Sequence, residues 1–180
     1  MKEVKAYSKY PLSSIIIFNS TVVAHFVLGG LGIIYGYSFS WAGYLFGALY
    51  LGFAFAIMYG IMPFEVCPSC VYYKMDNGIC ISGFNLISRK IAKQGGLKDF
   101  SNRSKGVLCH NRMYIASLIV PIVAIIPALV LNFSTFVLAV LITLLVLLLV
   151  RVLVVIKKIG CVHCAAKNEC PNASSRCILM

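Results

Sequence analysis

The chain has 180 residues, of which 61% are hydrophobic and only 12% charged. An average soluble domain carries about 25% charged and about 45–50% apolar residues. This balance excludes a water-soluble globule and a disordered tail. Lys and Arg number 16 against 5 Asp and Glu, for a net charge of +11, and there are 8 Cys.

In chain order, a basic tail, residues 1–12, holds Lys2, Lys5 and Lys9. A helix needs about 20 mostly apolar residues to cross the hydrocarbon core. Ser13–Tyr37 and Trp41–Met62 meet that demand, and the connector Ser38-Phe39-Ser40 forces an antiparallel hairpin over residues 13–62. The first stretch is too long for a cleavable signal, and the chain re-enters the membrane at once. Gly29, Gly30, Gly32 and Gly36, then Gly43, Gly47 and Gly52, give small-xxx-small spacings that let helix backbones approach closely. His25 is expected to be a hydrogen-bonded packing residue. With no second His in any span, a b-type haem is not supported.

Residues 63–112 form a polar loop containing eight Lys and Arg. Within it Phe84, Ile87 and Ile91 recur at helical spacing opposite Arg89, Lys90 and Lys93. They predict a short interfacial helix that Gly95-Gly96 ends. Met113–Leu131 and Phe133–Ile156 then make a second hairpin, residues 113–156, joined at Asn132. Pro121 and Pro127 are expected to kink its first helix. Val137–Val150 reads as lipid-facing, and Arg151 as a cation that snorkels to the headgroups. A second polar tail covers residues 157–180.

The expected fold is therefore an all-α integral membrane protein with four transmembrane helices in two antiparallel hairpins. No basic residue falls in the short connectors, so the charge bias places both termini and the central loop in the cytoplasm. The excess charge suits anionic lipid headgroups of the cell membrane. Nucleic-acid binding is not expected, because no stacking platform or recognition fold accompanies it.

Cysteines dominate the polar segments. The loop carries Cys67-Pro-Ser-Cys70, Cys80 and Cys109, and the tail carries Cys161-Val-His-Cys164, Cys170-Pro and Cys177. Cytoplasmic thiols stay reduced, and two Cys at C-x-x-C spacing can reach one metal through a tight turn. All eight are candidate ligands, four in each segment, and both sets follow a hairpin in what reads as a weak internal repeat. A run of C-x2-C-x5-C-P is closer to cluster-binding segments than to a zinc ribbon, although the inner spacings of ferredoxins are shorter. His110 and His163 are alternative donors.

The expected function is a membrane redox subunit carrying one or two cysteine-ligated iron–sulfur clusters and serving a partner subunit or membrane carrier. One alternative is a zinc-stabilised scaffold or assembly protein. Another is a membrane thiol–disulfide oxidoreductase. The layout is broadly similar, in architecture alone, to the disulfide-generating proteins related to vitamin K epoxide reductase, but those face an oxidising compartment. The final Cys177-Ile-Leu-Met also fits a prenylation pattern. No Ser/His/Asp set and no phosphate loop occurs.

Overall fold

The computed structural model describes residues 6–96 and 110–165, apart from the side chains of residues 110 and 111. Cys109, Cys170 and Cys177 lie outside the described residues, as do the side chain of His110 and the prenylation pattern. The described chain is helical, and four of its helices are long and apolar enough to cross a membrane: Leu12–Gly36, Trp41–Ser69, Arg112–Leu131 and Thr135–Cys161.

Helix α1 (Leu12–Gly36) starts behind Pro11, whose missing N–H and fixed φ suit a helix entry. It stops where Ser38 and Phe39 take left-handed conformations at φ 54° and 53°. The Ser40 hydroxyl then caps α2 (Trp41–Phe55) by accepting from the Gly43 N–H at 3.2 Å. Without a break, α2 widens into an 11-residue π-helical stretch, π1 (Ala56–Val66), which contains Pro63. A proline has no N–H to give the ladder, and a π turn accommodates the carbonyls it frees. A 3-10 turn (Cys67–Ser69) and two short helices follow, α3 (Val71–Lys74) and α4 (Phe84–Ile91). Helix α5 (His110–Leu131) leads to α6 (Thr135–Val150), which passes into a second 11-residue π-helical stretch, π2 (Arg151–Cys161).

The second and fourth spans therefore run beyond the expected ends at Met62 and Ile156, directly into the two C-x-x-C turns. The repeat suspected from the cysteines has a backbone counterpart, since each C-x-x-C begins where an 11-residue π stretch ends.

Helix α1 packs against α2, α5 and α6, and its glycines mark where the neighbours come closest. A Cβ on Gly29 would stand 2.7 Å from Pro121 of α5, and one on Gly30 2.6 Å from Leu51 of α2. On Gly32 it would meet Ile125 of α5 at 2.6 Å and Val140 of α6 at 2.9 Å. Across the α1–α2 seam, Gly47 faces Ile34 at 2.5 Å and the Gly30 carbonyl at 3.2 Å. Glycine spacing is thus a packing device here, as expected. The apolar core around these contacts includes Phe18, Val22, Phe26, Met58, Cys67, Phe84, Ile125 and Leu144.

Three expectations are corrected. Helix α6 is not wholly lipid-facing: Val137, Val140 and Leu144 are buried against the bundle while Ile142, Leu145, Val146 and Leu149 stay outside. A helix of uniform Leu and Val has no polar face to identify its inner side, so periodicity was silent. The helix expected at the interface, α4, ends at Ile91 rather than at Gly95-Gly96, and its Phe84 is buried in the core. Ala92 turns extended, its N–H bonds Ser88, and its carbonyl accepts the Tyr73 hydroxyl at 2.7 Å. Arg151 does not snorkel. It is 1% exposed, enclosed by α1 and α5.

Candidate thiol centre

Three separate segments meet beside the C-x-x-C turns. The N-terminal strand-like stretch Tyr7–Tyr10 is held on one side by the loop, where the Ile79 N–H donates to Ser8 at 3.2 Å and the Tyr10 N–H donates to Ile79 at 3.0 Å. On the other side the Tyr7 N–H donates to the His163 carbonyl at 2.8 Å, and the two rings stack at 4.3 Å and 8°. The Tyr10 hydroxyl donates to the Gly160 carbonyl. The Tyr72 hydroxyl donates to the Tyr7 carbonyl at 2.8 Å and accepts from the Ala165 N–H at 3.0 Å. Two C-x-x-C turns nearly a hundred residues apart in sequence are thereby fastened to the same short segment.

The first turn owes its shape to local chemistry. In Cys67-Pro68-Ser69-Cys70, Pro68 sits at the start of a 3-10 turn, and the Cys70 N–H closes it on the Cys67 carbonyl at 3.0 Å. The Gly95 N–H donates to the Pro68 carbonyl at 3.1 Å and packs the returning chain on the turn. The second turn closes in the same way, from the Cys164 N–H to the Cys161 carbonyl at 3.2 Å.

Buried Asn85 and half-buried Arg89 pin the loop between Cys70 and Cys80. Asn85 accepts the Cys80 N–H at 3.0 Å and donates to the carbonyls of Gly78 at 2.7 Å and Tyr72 at 3.2 Å. Arg89 donates to the carbonyls of Tyr73 at 3.1 Å, Tyr72 at 2.8 Å and Met75. These bonds satisfy the carbonyls that α3 leaves open at its C-terminal end. Gly83, at φ 75°, turns the chain into α4 in a conformation that disfavours side chains.

Cys67 is buried, whereas Cys70, Cys80, Cys161 and Cys164 are half-buried, and all five are thiols. Cys67 lies within electrostatic reach of Cys80 and Cys70. Burial, with smaller contributions from Cys164 and Cys70, pushes the Tyr72 phenol up to about 12. Burial first, then Cys164, Tyr72 and Cys161, raises that of Tyr10 still further. Tyr72 thus lies within electrostatic reach of both cysteine groups, and Tyr10 of the second. Among the described residues no three His, Cys, Asp or Glu side chains are gathered as metal ligands. The described structure ties both turns to one segment without gathering their thiols as a metal site.

Inside the bundle, His25 bonds the Leu118 carbonyl through Nε2 at 2.9 Å, the packing role expected of it. Tyr50 donates to the Ser117 carbonyl at 3.0 Å. Arg151 donates to the Tyr114 hydroxyl, to the Phe18 carbonyl at 3.2 Å and to the Thr21 hydroxyl at 3.1 Å. Its guanidinium lies 4.5 Å from the Phe18 ring centre and 5.3 Å from that of Tyr114.

The sequence reading missed Tyr7, Tyr10, Tyr72, Asn85 and Arg89, which assemble the cysteine-bearing end. Only Arg151 carried a signal, as a lone cation in an apolar run. Comparison with protein-family models, curated proteins and solved structures gives no match.

Proposed function

We propose that the chain is a membrane redox protein whose electron-carrying centre is built from the thiols of both C-x-x-C turns. The observation that carries this reading is the convergence of Cys67/Cys70 and Cys161/Cys164 on one tyrosine-bridged segment. Two C-x-x-C turns tied to one short segment lie on a common face, where both can supply thiols to one centre. The cofactor we assign is an iron–sulfur cluster, for which thiolates are the usual ligands. Cys80, Cys109, Cys170 and Cys177 are the further donors available to it. Its electrons go to a partner subunit or a membrane carrier.

The topology we propose has two antiparallel hairpins in the cell membrane. Both termini and the Cys-rich loop face the cytoplasm, where anionic headgroups meet the basic surface. Contact among Tyr7–Tyr10, Ile79 and Cys161–Ala165 supports a common side for the three segments.

A second reading is dithiol–disulfide exchange within a C-x-x-C pair. It draws support from the absence, among the described residues, of three side chains set as metal ligands. Oxidation of two such thiols to a disulfide releases two protons and two electrons, which the membrane carrier would accept. A zinc scaffold is less well supported, because Asn85 and Arg89 already close the loop with ordinary hydrogen bonds.

Anaerobic purification with iron, sulfide and zinc analysis tests these readings together. Iron and sulfide in equal amounts, with a visible band bleached by dithionite, are the expected result. A metal-free protein with a two-electron thiol couple would select the second reading. Stoichiometric zinc without redox activity would refute both.

A further inference from the structure

We propose that the chain carries a built seat for one anionic two-chain phospholipid on the outer face of α5. The proposal does not depend on the metal or on the redox reading. Two apolar grooves run along this face and share a ridge made by Ile115 and Ile119. The groove between α5 and π2 has a volume of about 410 Å³, and Val152, Ile156 and Lys157 form its far wall. Its neighbour is a shallower, more open groove of about 530 Å³ that reaches from Arg112 to Val123 and Ala124. Ligand pockets commonly span about 300–1,000 Å³, so each groove has room for an extended chain.

The charge arrangement selects the occupant. Each groove has a single cation in its lining, Arg112 in one and Lys157 in the other, and the remaining walls are almost wholly apolar. Arg112 lies in the first turn of α5, and Lys157 lies one turn before Cys161, so both cations lie toward the cysteine-bearing end of the bundle. Two parallel apolar channels beneath two cations fit a phosphodiester between Arg112 and Lys157 with one acyl chain on either side of the ridge. Tyr114 lines the first groove and bonds Arg151, which holds that wall rigidly against α1.

The test is native mass spectrometry of the full chain released from nanodiscs of phosphatidylcholine with phosphatidylglycerol. The wild type should retain one phosphatidylglycerol per chain. Each surface cation contributes about fivefold to anionic lipid affinity, so the Arg112→Ala/Lys157→Ala double variant should bind it about 30-fold more weakly. A Lys90→Ala/Lys93→Ala variant removes the same charge from exposed positions elsewhere and should retain it. Val123→Trp, which fills one groove and leaves both cations, should also lose the lipid. Matching thermal unfolding of all variants excludes misfolding as the cause. Equal loss in both charge variants, or equal retention of phosphatidylcholine, would overturn the proposal. A lipid-free dimer weakened by the Arg112/Lys157 changes would also overturn it, assigning the grooves to a second copy.

Discussion

Asn85 is the most informative residue to perturb, because it holds the cysteine loop without touching any candidate ligand's sulfur. Its side chain is 1% exposed and makes three hydrogen bonds, to Cys80, Gly78 and Tyr72. In Asn85→Ala the Tyr72 carbonyl keeps its bond from Arg89, so the groups left stranded are the Cys80 N–H and the Gly78 carbonyl. Burying an unsatisfied polar group costs about 1–3 kcal/mol. Closure of the loop should therefore weaken by about 2–4 kcal/mol, with the rest of the bundle unaffected. Since each 1.4 kcal/mol is tenfold, exchange of the Cys80 amide should accelerate between about 30-fold and about 700-fold where exchange follows the opening equilibrium. Hydrogen exchange read by mass spectrometry over residues 75–82 measures this directly. Lys90→Ala, an exposed change on the same helix, serves as the control. Exchange within twofold of wild type in Asn85→Ala would refute the reasoning, because the loop would then be held by something other than this side chain.

Other predictions concern the bundle and the tyrosines. Gly47→Ala places a methyl 2.5 Å from Ile34, whereas Gly52→Ala on the same span meets nothing within 4 Å. Overpacking costs about 1–3 kcal/mol, and relief of glycine's poor helix propensity returns about 1 kcal/mol at either site. Gly52→Ala should thus unfold above Gly47→Ala in detergent, by about 2–4 °C per kcal/mol of difference, and the reverse order would count against the packing. Tyr72 ionises near 10 when unfolded and at about 12 in the fold. Folding favours its neutral form, so this contribution is complete below pH 10 and disappears as pH rises from about 10 to 12. Tyr72→Phe should flatten that alkaline loss, which melting curves across the range would record. Arg151→Lys should be less stable than Arg151→Leu by about 2–4 kcal/mol. Lysine keeps a buried charge yet cannot fork to Tyr114, Phe18 and Thr21 together, and equal melting temperatures would exclude this account.

The spans were legible because twenty-residue apolar runs have few other uses, and their inner ends fell within two residues of expectation at Gly36, Trp41, Leu131 and Thr135. Their outer ends were not legible. Residues such as Phe64, Val66, Val154 and Ile156 continue the helix, but the turn geometry changes to π there, and hydrophobic patterning is blind to that change. The cysteine pairs could be read from spacing, which is a local property. Their convergence could not, because it depends on a Tyr7 backbone bond to His163 and a Tyr72 side chain reaching Ala165. Such contacts join positions over 90 residues apart and leave no periodic trace. Arg151 was visible but misread, since snorkelling and inward burial place a cation at the same sequence position. The partners Phe18, Thr21 and Tyr114 belong to other helices.

The inward Arg151 bears on the chemistry at the cysteine-bearing end. Among the described residues the acids are Glu65 and Asp76, both exposed, while Arg151 and Arg89 are held within the fold by neutral hydrogen-bond acceptors. The guanidinium charges are solvated by carbonyls, hydroxyls and ring faces but are not cancelled by carboxylates. On the proposed redox reading, a group that becomes more negative on accepting an electron, whether a thiolate-bound cluster or a reduced C-x-x-C pair, would be stabilised by whichever of these cations its field reaches. Buried cations are screened by salt far less than surface lysines. On that reading, a potential set by buried Arg151 should change little with ionic strength, whereas one set by half-buried Arg89 and the exposed basic surface should fall as salt is added. The slope of midpoint potential against salt separates the two: a flat line is expected if Arg151 dominates, and a falling line would refute that role.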